Sequence, residues 1–570
     1  MKRRDFLKTL PLGIAATAIP FTVGGLFSGK AFGRSPALDA LLNAQTDTNN
    51  ILVIINLQGG NDGLNTVIPF NDPVYKSARR TIGYGSSGDP ALLAPYTIRT
   101  GAELALALNP PLGTDFLNMF KDGKLAIVQN VGYADQTRSH FRGSDIWNTA
   151  SDSNIIVSTG WMGRYLETQV PSDYPLTFNS PDPLAIAIDY STTVIFQGAK
   201  AVMASAVVDP SKYNAAVNYA DDTPQTTNAG TELAFVRSIL AESDIYGKRF
   251  TDIFGTSSNP VTGSTSNKVA YPTDNPLAAQ LQKVAWCING GLKTRVYFIT
   301  MGGYDTHVNQ NSRDTSQPGQ GLLHQQLGQA ISLFQQDIEA MGFSDNVIGM
   351  TYSEFGRRLN ENGSNGTDHG AAAPMFLWGK PVNGELYGHN PNLNGNDPND
   401  PTTLDIYGDL SRQFDFRQVY GAILTQWFGA NDSLRKAILN SPDFTTIPDF
   451  KDAANGFQFP VNGSSKMQNL ITNPVDSVSS SQPASFTLYQ NQPNPFTGIT
   501  TVSFALSESG RTILEVFDSR GSLVATLLDG FAGRGQNQFV FDGRKLASGT
   551  YYVRLEVSGK TQTRQMMLVK

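Results

Sequence analysis

The chain has 570 residues, 40% of them hydrophobic and 16% charged, with a net charge of −6. That length exceeds one ordinary core and predicts two or three domains. The acidic balance, with no local cluster of Lys and Arg, excludes nucleic acid as a main partner, since phosphate binding needs a basic footprint. A single cysteine, Cys287, excludes an intrachain disulfide framework.

The chain opens Met1-Lys2-Arg3-Arg4-Asp5-Phe6-Leu7-Lys8, followed by an apolar stretch from Leu10 to Phe27 and a small-residue exit at Ala31-Phe32-Gly33. A charged start, a modest apolar run and that exit predict a signal peptide over 1–33. The consecutive arginines before Phe-Leu-Lys resemble the twin-arginine type, which exports folded proteins and implies the twin-arginine translocase as a partner. No later segment is long and apolar enough to span a bilayer, so no transmembrane anchor is expected after signal removal.

From residue 50 to 460 short apolar runs alternate with helical patterns. The runs are Ile51–Leu57, Leu125–Val128, Leu184–Ile188, Arg295–Ile299, Val347–Tyr352 and Met375–Trp378, with helical patterns such as Leu277–Ile288 and Leu322–Met341 between them. This alternation predicts an α/β domain, a mainly parallel sheet with helices on both faces. Residues 461–484, rich in Ser, Asn and Pro, read as a linker. From 485 to 570 the period changes to two, with strands near Thr501–Phe504, Ile513–Phe517, Gln538–Phe541 and Tyr551–Leu555, the pattern of a small β-sandwich.

In an open parallel sheet, sites form beyond the carboxyl ends of strands. Four predicted strands end there in glycine-flanked polar residues. These are Gly59-Gly60-Asn61-Asp62-Gly63; Arg138-Ser139-His140-Phe141; Gly302-Gly303-Tyr304-Asp305-Thr306-His307; and Ser353-Glu354-Phe355-Gly356-Arg357. A loop before the Met375 run adds Gly366-Thr367-Asp368-His369-Gly370. Three of the five histidines fall in these segments. Imidazole and carboxylate are the ligands that a divalent transition metal such as zinc takes from a protein, and carboxylates supplied from separate loops can build a two-metal hydrolytic site. Each motif also has a plain structural use: Asp62 can shape a tight turn, Asp368-His369 can be a surface turn, and Ser139 can be a simple helix N-cap.

Two resemblances sharpen these expectations. Leu488-Tyr489-Gln490-Asn491-Gln492-Pro493-Asn494-Pro495-Phe496, Val516-Phe517-Asp518-Ser519-Arg520-Gly521 and Leu546-Ala547-Ser548-Gly549-Thr550-Tyr551 resemble the signatures of type A C-terminal sorting domains of the type IX secretion system. That resemblance implies the type IX machinery as partner and export through the periplasm to the cell surface or extracellular space. The strand-end segments above, with Gly160-Trp161-Met162-Gly163-Arg164-Tyr165, Asp415-Phe416-Arg417 and Tyr420, resemble domain-of-unknown-function family 1501 from about residue 50 to 430. This family is similar to the alkaline phosphatase and sulfatase superfamily. By that resemblance Asp62, Asp305, His307, Asp368 and His369 are metal ligands for one or two divalent ions, zinc first. Glu354 is a ligand or a base, and Ser139 and His140 join it as the catalytic set.

The sequence departs from the superfamily in two ways. It has no Cys/Ser-x-Pro-x-Arg run of the formylglycine sulfatases, and the last histidine ligand has no clear counterpart, with His324 and His389 both open. Arg138, Arg142 and Arg357 are placed either to bind an anionic ester or to pair with carboxylates. The function expected is metal-dependent hydrolysis of a phosphate or sulfate ester, including one on a polysaccharide. The alternative is a non-catalytic surface protein on a degenerate phosphatase-like fold, binding carbohydrate or another surface partner.

Overall fold

A computed structural model describes residues 49–439 and 486–569, apart from 86, 101–104, 172–173, 175–179, 213–236, 238–242, 257–258, 261–262, 264, 396–401, 406, 492, 495, 507–509, 519–522, 533–534 and 558–559. The expected signal peptide (1–33) and linker (461–484) lie outside the described residues. The chain divides into two compact units between Asp476 and Ser477.

The first unit is built on β1 (Ile51–Leu57), β2 (Leu125–Gly132), β3 (Ala185–Ala187), β4 (Ser205–Ala206), β5 (Val296–Met301) and β6 (Val347–Tyr352). A two-stranded ribbon, β7 (Arg357–Glu361) and β8 (Thr367–His369), precedes β9 (Ala373–Trp378), and β10 (Leu386–Tyr387) and β11 (Phe414–Asp415) close the set. The main sheet has nine strands in the order β10-β2-β9-β6-β1-β5-β3-β4, with β11 also on β2. Strand β1 lies parallel to β5 and β6, whereas β9 is antiparallel to both β6 and β2. The sheet is therefore mixed and mostly parallel. Because only β9 is reversed, the carboxyl ends of β1, β2, β5 and β6 share one edge with the amino end of β9.

Both faces of the sheet are buried. In β1, Leu52 and Ile54 pack on one side with Trp147, Trp161 and Tyr420, carried by α2 (His140–Thr149), α3 (Trp161–Glu167) and α6 (Phe416–Ala422). Val53, Ile55 and Leu57 face the other side, against Phe116 of α1 (Thr114–Lys121), Leu281 and Val284 of α4 (Pro276–Asn289), and Leu327 and Phe334 of α5 (Gln320–Ala340). This two-sided burial is why β1 reads as an unbroken apolar run rather than an alternating one. The caps follow the same local chemistry. Asn275 accepts from Ala278 N at the start of α4, and Asp415 with Gln418 forms a capping box on α6.

The second unit contains two antiparallel sheets resembling a sandwich. One is β12-β13-β16 (Phe486–Leu488, Ile499–Leu506, Gly535–Asp542); the other is β15-β14-β17-β18 (Leu523–Ala532, Gly510–Asp518, Gly549–Val557, Lys560–Leu568). Phe486, Val502, Phe504, Leu514, Val516, Val553 and Leu555 form its own core.

Candidate metal centre

The shared edge of the sheet gathers the histidines. His140 is the first residue of α2, with Ser139 as its N-cap. Asp305 and His307 follow β5, Glu354 follows β6, and Asp368 and His369 lie on β8 rather than in a loop. Two glycines permit the approach. Gly59 has φ +124°, and a Cβ there would run into the Asp305 backbone nitrogen; one on Gly366 would meet the His307 carbonyl group.

His140, Asp305 and His369 each offer a ligand atom, all within 4.8 Å of one another. Asp305 Oδ1 lies 3.2 Å from His369 Nε2, and Asp305 Oδ2 lies 3.4 Å from His140 Nε2. His307 joins them, its Nε2 2.8 Å from His369 Nε2 and 3.2 Å from Asp305 Oδ1.

The outer partners fix which nitrogens carry protons. His369 Nδ1 is 2.8 Å from the Arg138 carbonyl oxygen. A carbonyl only accepts, so Nδ1 donates and the neutral ring presents a lone pair at Nε2. His140 Nδ1 is 2.8 Å from Glu354 Oε1, which also accepts the Gly59 N–H at 2.8 Å, so His140 too turns a lone pair inward. Its Nε2 is buried without a hydrogen-bond partner. His307 Nδ1 faces the Asp368 carboxylate at 3.4 Å. The inward lone pairs of His140 and His369 thus face the Asp305 carboxylate, an arrangement that a cation among them would relieve, with His307 Nε2 within hydrogen-bond distance of His369 Nε2. A proton is a poor substitute. Burial first, then the nearby Arg357 and His140, lower the pKa of His369, against the opposing pull of the Arg138 carbonyl and Asp305. Burial raises the pKa of Asp305, but the hydrogen bond and charge of Arg357 and the nearby His369 and His307 rings outweigh it and bring it to about 2. Inward lone pairs backed by carboxylate or carbonyl acceptors are the usual construction of a metal-binding histidine set.

Arg357 stitches this edge together from inside. Its guanidinium donates to Gly60 O (2.9 Å), Thr367 O (2.8 Å), Tyr304 O (3.1 Å), Gly59 O and Asp305 Oδ1 (2.6 Å). Arg138 pairs with Asp409, and Arg142 with Asp145. All three arginines therefore pair with carboxylates.

Asp62 is placed elsewhere. It is buried at 1% exposure, ion-paired to Arg79 and accepting from Gln310 Nε2 at 2.6 Å. His324 stands beside it, fully buried, with Nε2 3.2 Å from Thr66 Oγ1. Ser139 is exposed, and its hydroxyl makes no hydrogen bond among the described residues. The structure thus brings together Asp305, His307, Asp368 and His369 with His140 and Glu354, and leaves Asp62 outside that group. Arg79 carried no signal in the sequence, because it ends a six-residue helix with no motif around it.

Residues 291–439 match the family described as a protein of unknown function (DUF1501), and residues 491–570 match the secretion system C-terminal sorting domain. A DUF1501 domain and a sorting domain are therefore present, and the latter directs export to the cell surface or extracellular space by a type IX-like route. The first match takes in Asp305, His307, Glu354, Asp368 and His369. No curated protein matches the chain significantly. Among solved structures, the chain is similar to the PsFucS1 sulfatase from Pseudoalteromonas sp., at 10% identity and TM-score 0.28 over 90% of this chain and 89% of that one. A Bacteroides thetaiotaomicron protein from work on the metabolism of multiple glycosaminoglycans matches at 10% identity and TM-score 0.28, over 87% of this chain and 90% of that one.

Proposed function

We propose that this surface-delivered protein is a metal-dependent hydrolase of phosphate or sulfate esters on the alkaline phosphatase/sulfatase plan. The observation that carries the reading is the convergence of His140 Nε2, His369 Nε2 and the Asp305 carboxylate on one point. A bound divalent metal, zinc before others for this nitrogen-rich set, would supply Lewis-acid polarisation of the ester. The chain's own residues do the rest. Glu354 holds the His140 ring, and the amino end of α2 presents its partial positive charge beside His140, where an anionic ester group would sit. Hydrolysis breaks one ester bond and adds water across it, releasing an alcohol and inorganic phosphate or sulfate. Ser139, exposed and next to His140, is the side chain to test as nucleophile. Exposed Phe141 beside His140, Val308 beside His307 and Tyr407 under Arg138 offer apolar faces that suit the rings of a polysaccharide carrying the ester.

The test is metal analysis of the purified protein together with hydrolysis of 4-nitrophenyl phosphate and 4-nitrophenyl sulfate by wild type and His369→Ala. Bound transition metal with turnover lost in the variant supports the reading; metal-free protein with no turnover on either ester ends it. One observation favours a second reading, a non-catalytic surface protein that binds carbohydrate or another surface partner. Arg138, Arg142 and Arg357, the arginines best placed for an anion, all pair with carboxylates. Metal bound without turnover would select that reading.

A further inference from the structure

We infer that the centre holds a single metal ion, bound by His140, His369 and Asp305, and that Asp62 is a structural anion closed to metal. The inference rests on the metal reading above but not on any particular ester chemistry.

The ligand atoms of His140, His369 and Asp305 lie within 4.8 Å of one another, the spacing of ligands around one ion, and His307 flanks them, its Nε2 2.8 Å from His369 Nε2 and 3.2 Å from Asp305 Oδ1. The outer face of His307 repeats the pattern seen at His140, with a carboxylate (Asp368) near Nδ1. Its backbone carbonyl is held by Asn362 Nδ2 at 2.9 Å. Two imidazoles and one carboxylate suit zinc and its transition-metal neighbours. Calcium wants six to eight oxygens, and this set offers a single carboxylate.

A second ion has nowhere to go, because the neighbouring carboxylates already have donors. Glu354 accepts from Gly59 N and faces His140 Nδ1. Asp368 accepts from Asn362 Nδ2 at 3.2 Å and faces His307 Nδ1. Asp62 is neutralised by the buried Arg79 guanidinium. Arg357 puts a further positive charge on Asp305, where a second ion would have to share that carboxylate. Among the described residues, the His140 group is the one cluster of three or more ligating side chains. Asp62 Oδ1 and His324 Nδ1 are buried without hydrogen-bond partners. Those two atoms fall short of such a cluster, and the charge of Arg79 beside them opposes any cation.

The experiment is zinc titration by calorimetry of the full-length purified protein stripped of metal, with bound zinc counted by plasma mass spectrometry. One equivalent per chain is expected, and calcium should not compete. His140→Ala should weaken zinc binding by more than the roughly 10–100-fold typical of an outer-partner change. Asp62→Asn should leave one equivalent with unchanged affinity while lowering the melting temperature. If that variant does not fold, Asp62→Asn with Arg79→Met removes both charges together and is read in the same way. Two equivalents in wild type, or loss of zinc on changing Asp62, overturns the single-ion inference. No zinc at all overturns the metal reading itself.

Discussion

His324 is buried against Thr66 Oγ1, near the Tyr304 ring and the Asp62 carboxylate. Burial lowers its pKa from 6.5 to about 3, with Asp62 pulling in the other direction. The unfolded chain therefore takes up this proton at a higher pH than the folded one. The stability at stake is fully present above about pH 6.5 and is lost as pH falls towards 3, by up to about 1.4 kcal/mol per pH unit. His324→Gln should remove that dependence. Between pH 7 and pH 5 the variant should lose about 2 kcal/mol less stability than wild type, measured by urea unfolding at both values. An equal loss in both proteins would contradict the assignment. Glu354→Gln tests a different residue-scale role. A neutral amide can still accept from His140 Nδ1 but no longer stabilises a cationic centre, so zinc affinity should fall about 10–100-fold with little change in melting temperature. At this scale the sequence was only partly informative. Residue types, strand-end positions and the family resemblance marked Asp62, Asp305, His307, Asp368 and His369 as one group, and the structure pairs Asp62 with Arg79 outside it. What the sequence could not give is direction: nothing in Gly-Gly-Asn-Asp-Gly says that the Asp62 side chain turns inward to Arg79. Nor does Ser-His-Phe say that His140 faces Asp305.

Elements were more legible, because burial on both faces writes itself into composition. The runs Ile51–Leu57 and Val347–Tyr352 are the observed strands residue for residue, and the patterns Leu277–Ile288 and Leu322–Met341 lie on the observed helices within one or two residues. Direction and short pairing were harder. β9 looks like the other buried strands, since a reversed strand buries the same residues, so the sheet is mixed rather than uniformly parallel. The segment Gly366–Gly370 reads as a loop because glycines bracket three polar residues, yet Thr367–His369 pairs with Arg357–Glu361. That ribbon brings His369 opposite Arg357 and sets the histidine against Asp305. The turn after β1 bears on the same geometry from the other side. Gly59→Ala places a side chain at φ +124° and into the Asp305 backbone, a change expected to cost at least about 1 kcal/mol. Because Asp305 must move to make room, zinc affinity should fall together with the melting temperature. A variant that loses stability and binds zinc as wild type does would show that the turn does not position Asp305.

At the scale of the whole molecule, the sorting domain and the candidate metal centre lie in different parts of the chain. We propose that Arg3 and Arg4 form a twin-arginine signal, which fits a centre built from four separate strand ends and so needing a folded domain before it can take up metal. Arg3→Lys with Arg4→Lys should leave the protein in the cytoplasm; mutant protein outside the cell at the wild-type level would remove that proposal. The second unit carries its own core of Phe486, Val502, Phe504, Leu514, Val553 and Leu555, and the chain divides between Asp476 and Ser477. A unit with its own core can in principle fold without its neighbour. Deleting Ser485–Lys570 should therefore leave the first unit with its melting transition and zinc stoichiometry intact, because every ligand lies between His140 and His369. The same deletion removes the sorting domain at residues 491–570, so the truncated protein should collect in the periplasm instead of reaching the surface. Fractionation, a thermal melt and a metal count on the one truncated protein separate the outcomes. Surface delivery without the tail would deny the sorting role, and a lost melting transition would deny the independence of the two units.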